Sequence, residues 1–428
     1  MMRIGLDKTF IALQSQNYRR YFVANSISSL GTWMQRLGMS WLVYRLTDSA
    51  SWLGVMTFFG WFSSFLLMPW AGAMLDSGSR RKILVASQLL GFAQAAFLAI
   101  MTHTGLVTVN WLLFLSVLLG LVNAFDMPGR HSFVSDMIDE KKMLANAIAL
   151  NSISFNMARL LGPALAGIVV AKLGEAPCFM MNSLSFVPMA WVLFRMKLAS
   201  EAADAADSES FRTRIIEGFR YSATHPVILP AFMLISVMSL MGMSIQMVLM
   251  PVIADRHLGG DAATLGYLTS AMGLGAVLGA LSLALRKKID GIELLPPAAF
   301  GFYGLFTVFL AYSRSLSVAL VLCALMGICI VSGWSASNTL LQTVAEKRMM
   351  SRVMSIYMMC FSGMSPIGSL FMGWFSTYTS TSSAMVLGGI SCSAASVLYL
   401  IFRRGALCSE TETETLAVEP SDDADRQK

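Results

Sequence analysis

Residues 140–167, EKKMLANAIALNSISFNMARLLGPALAG, recur 206 positions later as residues 346–373, EKRMMSRVMSIYMMCFSGMSPIGSLFMG. Glu140, Lys141, Met143, Phe155, Gly162 and Gly167 fall on Glu346, Lys347, Met349, Phe361, Gly368 and Gly373, and Lys142 meets Arg348. The same shift lays Arg80-Arg81-Lys82 over Arg286-Lys287-Lys288. Each copy is a basic cluster followed by an apolar stretch long enough to cross a membrane, so the chain reads as two parallel halves. Only 13% of the 428 residues are charged and 56% are hydrophobic, with a mean hydropathy of +0.63. A soluble globule carries roughly 25% charged residues.

Apolar blocks occupy 21–44, 53–75, 83–102, 107–125, 145–170, 177–194, 227–252, 264–285, 294–311, 316–341, 353–376 and 381–402. Twelve such blocks predict an all-α polytopic membrane protein with six spans per half. Basic residues alternate between the connections. With the N-terminus inside, 25 of the 31 Lys and Arg lie on the inner side and four on the outer, leaving Arg36 and Arg159 within spans. This bias predicts both termini on the cytoplasmic face of a bacterial inner membrane. It also accounts for the net charge of +6 without nucleic acid. The start, Met1–Gln16, shows no cleavable signal pattern, so the first span is read as retained.

The predicted organisation is 1–198 as one six-helix bundle, 199–225 as a linker, 226–404 as the second bundle and 405–428 as an acidic tail without structure. Apolar residues at Phe211, Ile215, Ile216 and Phe219 in the linker suit an amphipathic helix on the membrane surface. The six cysteines show no metal-binding spacing, no nucleotide-binding motif is present, and no cofactor or enzymatic activity is implied.

Polar residues within the spans are the candidate site. In the first span Asn25, Ser29, Thr32, Arg36 and Ser40 step by three or four and keep one face, which points toward a watery cavity or the other half. Arg36 lies about 22 Å from the inner end of that span. Its alternatives are a substrate or coupling residue, a structural anchor, and a group snorkelling to the outer interface. Arg159 has comparable depth in the fifth span and is read as an interhelical anchor or a contact for an anionic substrate. Gly162, Pro163 and Gly167 suit close helix packing or a bend used in alternating access. Asn123, Asp126 and Arg130 share a face of the fourth span, with Asp126 and Arg130 one turn apart and able to pair. In the second half, Ser236, Ser239 and Gln246 share one face of the seventh span, and Ser335, Asn338 and Gln342 one face of the tenth. They are neutral groups fitted either to a polar substrate or to helix–helix adhesion. No Asp or Glu lies near the centre of any span.

The stretch Gly72-Ala-Met-Leu-Asp76-Ser-Gly-Ser-Arg80-Arg81-Lys82 resembles the loop between the second and third helices of the major facilitator superfamily. Asn123-Ala-Phe-Asp126-Met-Pro128-Gly-Arg130, Asn146-Ala-Ile-Ala-Leu-Asn151 and Arg159-Leu-Leu-Gly162-Pro163-Ala-Leu-Ala-Gly167 resemble the branch containing the enterobactin exporter and macrolide-efflux proteins. So do Leu30-Gly31-Thr-Trp33-Met-Gln35 and Trp41-Leu-Val-Tyr-Arg45-Leu-Thr. The resemblance spans residues 17–402. It implies a monomeric secondary carrier whose cavity is lined by the first, fourth, seventh and tenth helices, exporting a small amphipathic or anionic molecule in exchange for protons. It also implies a gate in which Asp76, beside Arg80, meets Arg130 or the start of the eleventh span around Arg352. A lysophospholipid flippase and a non-transporting membrane scaffold or sensor are the alternatives.

Overall fold

The computed structural model describes residues 10–77, 80–138, 141–196, 211–286 and 291–418, all helix or connecting turn. We number the long helices α1 (Gln16–Thr47), α2 (Ala50–Ser77), α3 (Arg80–His103), α4 (Val109–Asp136), α5 (Lys141–Leu173), α6 (Glu175–Arg195), α7 (Ile228–His257), α8 (Ala262–Ala284), α9 (Ile292–Tyr312), α10 (Leu316–Val344), α11 (Met350–Tyr378) and α12 (Thr381–Val418). Eleven contain stretches long and apolar enough to cross a membrane. The exception is α1, which is long enough at 32 residues but too polar, because it carries the Asn25–Ser40 stripe together with Gln35.

Several helices outrun their expected spans. Helix α4 continues past 125 to Asp136, α5 begins at Lys141, and α7 runs on to His257. Polar residues at a helix end leave the hydrocarbon while the backbone ladder continues, so apolar run length underestimates helix length. A separate linker helix, Phe211–Thr224, stands where the amphipathic segment is expected. The backbone of α12 is helical to Val418, well into the segment 405–428 expected to lack structure. No Gly or Pro lies between Ala406 and Val418 to break it. Residues 419–428 lie outside the described residues, as do 1–9 and 197–210.

Helices α1–α6 pack largely among themselves, as do α7–α12, and two long seams join the groups: α5 against α8 and α2 against α11. Both are backbone-to-backbone contacts. A Cβ at Gly167 would lie 2.7 Å from the Ala262 carbonyl oxygen and 3.0 Å from Gly266 Cα. At the second seam, a Cβ at Gly373 would lie 2.6 Å from the Ala50 carbonyl oxygen and 3.1 Å from Gly54 Cα. Gly167 and Gly373 are the repeat partners read from the sequence, so the internal duplication has a three-dimensional counterpart.

Hydrogen bonds and ion pairs between the halves, where both partners are described, cluster at the end remote from the linker. Tyr44 Oη donates to Asp255 Oδ2 at 2.8 Å, and Arg256 Nη2 reaches Asp48 Oδ1 at 2.8 Å and the Asp48 carbonyl at 3.0 Å. Ser51 Oγ donates to Thr377 Oγ1 at 2.8 Å. The helices are therefore drawn together at that end.

Replacing Gly167 by Val forces backbone apart along the α5–α8 seam, and overpacking of this kind costs about 1–3 kcal/mol. A Cβ at Gly72 meets nothing within 4 Å. Gly167→Val is expected to lower the unfolding midpoint of purified protein, and Gly72→Val to leave it unchanged.

Candidate functional site

The polar stripe on α1 separates into two environments. Toward the linker end, Asn25 and Ser28 turn into the first half and meet Arg130 of α4. Arg130 Nη1 donates to Asn25 Oδ1 at 2.6 Å, and Nη2 donates to Ser28 Oγ and Gln88 Oε1, each at 3.1 Å. Arg130 Nε lies 2.7 Å from Asp126 Oδ2, one helical turn away, as an ion pair whose N–H is not aligned for a hydrogen bond. Gln88 Nε2 donates to the other carboxylate oxygen. Asp126 is 8% exposed and Gln88 fully buried, so the charge pair is held by neutral amides rather than by water.

Asp126 and Arg130 thus form the expected pair, and Asn25 joins it. The sequence reading missed Gln88, although two glutamines, Gln88 and Gln94, in an otherwise largely apolar span were a legible signal. It also missed the buried amide chain beyond it. Asn182 Nδ2 donates to Gln35 Oε1 at 2.6 Å, Gln35 Nε2 to Gln94 Oε1 at 2.9 Å, and Gln94 Nε2 to the Leu115 carbonyl at 3.2 Å. This chain ties α1, α3, α4 and α6 together where no water is needed to satisfy them.

The second environment surrounds Arg36. Its guanidinium carbon lies 5.0 Å from the ring centre of Trp33 and 5.3 Å from that of Trp61 on α2. Arg159 of α5 lies 6.0 Å from the same Trp33 ring. Trp33 is held edge-on by Phe155, with ring centres 5.9 Å apart. Gly162 lets α5 approach it, since a Cβ there would sit 2.6 Å from Trp33 Cβ. Two arginines from different helices therefore share one indole. Neither has a carboxylate or a hydrogen-bond acceptor among the described residues.

The remaining candidates are spread around these centres. Thr32 Oγ1 donates to the Ser28 carbonyl at 2.9 Å, which occupies it within its own helix. Ser29, Asn123, Gln246 and Ser335 are half-buried and have no side-chain hydrogen bond to another described residue. Asn338 accepts from Gln342 Nε2 at 2.6 Å. Gln246 lies within one of three π-type wide turns in α7, Met238–Met243, Ile245–Leu249 and Ile253–His257; a fourth, Met359–Gly363, lies in α11. Such turns break the regular ladder and are common where helices serve function. They place Ser239 Oγ 2.6 Å from the Phe361 carbonyl, to which it donates. Pro163 lies within α5, and its carbonyl faces Gly266 across the seam.

Of the expected gate, Arg130 pairs with Asp126 and Arg352 pairs with Glu217 of the linker helix. Arg80 Nε donates to the Leu75 carbonyl at 3.3 Å, linking the start of α3 to the end of α2. The side chain of Asp76 lies outside the described residues. A groove of ≈ 520 Å³ beside Arg352 is lined by Arg220, Tyr221 and Arg348, and a cavity of ≈ 430 Å³ at the opposite end is lined by Asp48, Arg256, His257 and Ser380.

A model of transmembrane secretion effectors matches residues 8–425. The chain belongs to this family of the major facilitator superfamily. Among its relatives, the staphyloferrin A transporter of Staphylococcus aureus is 25% identical over 367 residues, 82% of this chain and 88% of that one. The multidrug efflux pump Tap of Mycolicibacterium fortuitum is 25% identical over 343 residues, 78% and 82% of the two chains. Among solved structures, the nucleoside transporter NupG superposes with a TM-score of 0.69 at 11% identity, covering 90% of this chain and 98% of that one. A bacterial homologue of the human lysosomal transporter Spinster, inward-facing and unoccupied, gives 0.64 at 15% identity, covering 91% and 95%. This family member is accordingly a membrane transporter, not an enzyme, with the twelve-helix facilitator fold.

Two outcomes check the geometry. Asp126→Ala strands the buried Arg130 charge, a loss of about 3–5 kcal/mol; the paired replacement Asp126→Asn with Arg130→Gln is expected to cost less, as read from unfolding midpoints. At the far end, the hydrogen bond from Arg256 holds the Asp48 carboxyl below the usual aspartate value. A depressed native value stabilises the Asp48–Arg256 contact above the ordinary aspartate range, and that contribution is lost as pH falls through the lowered value. The distance between spin labels at Ser49 and Ser380 should hold constant from neutral pH down to the ordinary aspartate value, about 4, and broaden below it.

Proposed function

We propose that this transporter is a secondary exporter of a small amphipathic or anionic molecule, working by alternating access across a bacterial cytoplasmic membrane. The observation that carries this reading is the Arg36–Trp33–Arg159 group: cations inside membrane-spanning helices, facing aromatic rings and without a counter-charge among the described residues. An intramembrane charge without a partner is costly to keep, which favours a functional reason for it. The staphyloferrin A transporter and the Tap multidrug efflux pump, by their names, handle a siderophore and drugs, and export of a comparable small molecule is the corresponding reading here.

In this reading residues 1–198 and 226–404 are the two rocking bundles, joined through 199–225, with both termini cytoplasmic as the basic residues favour. The Tyr44–Asp255 and Asp48–Arg256 contacts then close the outer end while substrate enters from the cytoplasm. Ser29, Asn123, Gln246, Ser335 and Asn338 supply polar contacts from both halves. The glycine seams serve as the surfaces about which the bundles rock, and the Asp126–Arg130 pair, together with Asp76, Arg80 and Arg352, belongs to the inner gate. Protons are the coupling ion suggested by the family resemblance. With no carboxylate at the centre of a span, Asp126 is the nearest intramembrane candidate to bind one.

Transport into inverted membrane vesicles tests the reading. An imposed proton gradient is expected to drive accumulation of at least one compound from a siderophore and drug panel. Arg36→Ala should abolish that accumulation at normal membrane abundance. Failure of every compound to accumulate or exchange would overturn the assignment.

A further inference from the structure

The eight described acidic side chains all have other engagements. Asp126 pairs with Arg130, Asp48 with Arg256, Glu175 with Arg45, Glu293 with Arg403, Glu217 with Arg352 and Glu346 with Arg348. Asp255 accepts from Tyr44, and Asp261 caps the start of α8. None reaches Arg36 or Arg159, whose charges also repel one another through space. Each guanidinium carries five N–H donors and no acceptor. Indole faces offset part of the positive charge but accept hydrogen bonds poorly. The two arginines thus present donors and charge that the described protein leaves unused.

Their placement constrains what could complement them. Both guanidinium carbons lie within 6.0 Å of the centre of one indole, which Phe155 and the close approach of α5 at Gly162 hold in place. Trp61 extends the aromatic surface beyond Arg36. With 5.0 Å and 6.0 Å to one shared ring centre, the two guanidinium carbons are at most about 11 Å apart, a span that one small molecule with two anionic groups can bridge. Planar oxyanions match the fork geometry of arginine.

Resting on the exporter reading, the geometry points to a substrate that bears two anionic oxygen groups on a flat aromatic or apolar body, with Arg36 and Arg159 each taking one. A ligand of this class neutralises both fixed charges as it binds. Its export carries negative charge outward, a direction that an interior-negative membrane potential favours.

The test uses full-length protein in detergent and two xanthene dyes of nearly the same shape, fluorescein, a dianion at alkaline pH, and rhodamine 123, a cation. Fluorescence anisotropy is expected to show fluorescein binding at least tenfold tighter. Arg36→Gln and Arg159→Gln should each weaken fluorescein at least tenfold while leaving rhodamine 123 within twofold, and Arg36→Lys should recover part of the loss. A measurement on unaltered protein guards against variants that misfold: naphthalene-2,6-dicarboxylate should displace fluorescein, and its dimethyl ester should not. Equal binding of the two dyes, equal competition by diacid and diester, or undiminished fluorescein binding in folded glutamine variants would overturn the assignment. If rhodamine 123 is exported while fluorescein is not bound, the exporter reading stands and the dianion assignment falls.

Discussion

Backbone meets backbone along the two seams between the halves, and most of the architecture follows from that closeness. In hydrocarbon, apolar side chains gain little by leaving lipid for protein, so helices associate through close packing and polar contacts. Glycine at Gly167 and Gly266, and again at Gly54 and Gly373, removes the side chains that would hold α5 from α8 and α2 from α11. At these points the two backbones meet with no side chain between them. Within the first half, the amides of Gln35, Gln94 and Asn182 bind helices to one another away from water.

The charges follow the same division. Arg130 and Asp126 are held within the first bundle by Gln88, Asn25 and Ser28. The Asp48–Arg256 and Tyr44–Asp255 contacts cross between bundles near the surface, where water lowers the cost of separating charge. Arg36 and Arg159 belong to neither class. They have aromatic support and no ionic partner among the described residues.

Much of the fold was legible because membrane helices are written in long apolar runs and basic loop clusters, and because the 206-residue repeat marked its own glycines. Gly162 and Gly167 suit close packing or a bend on sequence alone, and the repeat lays Gly373 over Gly167, where the second seam closes. Helix ends were less legible, since α4 and α7 continue beyond their apolar runs. The site was legible in part. The i,i+4 spacing of Asp126 and Arg130 announced their pair, but nothing local in sequence links Arg36 to Arg159, which lie 123 positions apart and meet only because α1 and α5 cross at Gly162 and Trp33. The amide chain was missed for a related reason: Gln35, Gln94 and Asn182 come from three helices, and single neutral residues carry no pattern of their own.

The polarity of α1 bears on how the protein is made. A helix with Asn25, Gln35 and Arg36 in its membrane segment gains little by entering lipid alone, unlike the eleven more apolar helices. Its place depends on partners translated after it: Trp61 on α2, Gln94 on α3, Arg130 on α4, and Asn182 on α6. The least hydrophobic of the described long helices is thus secured only once the later ones of its half are in place, and the assembly of the first half is cooperative through it.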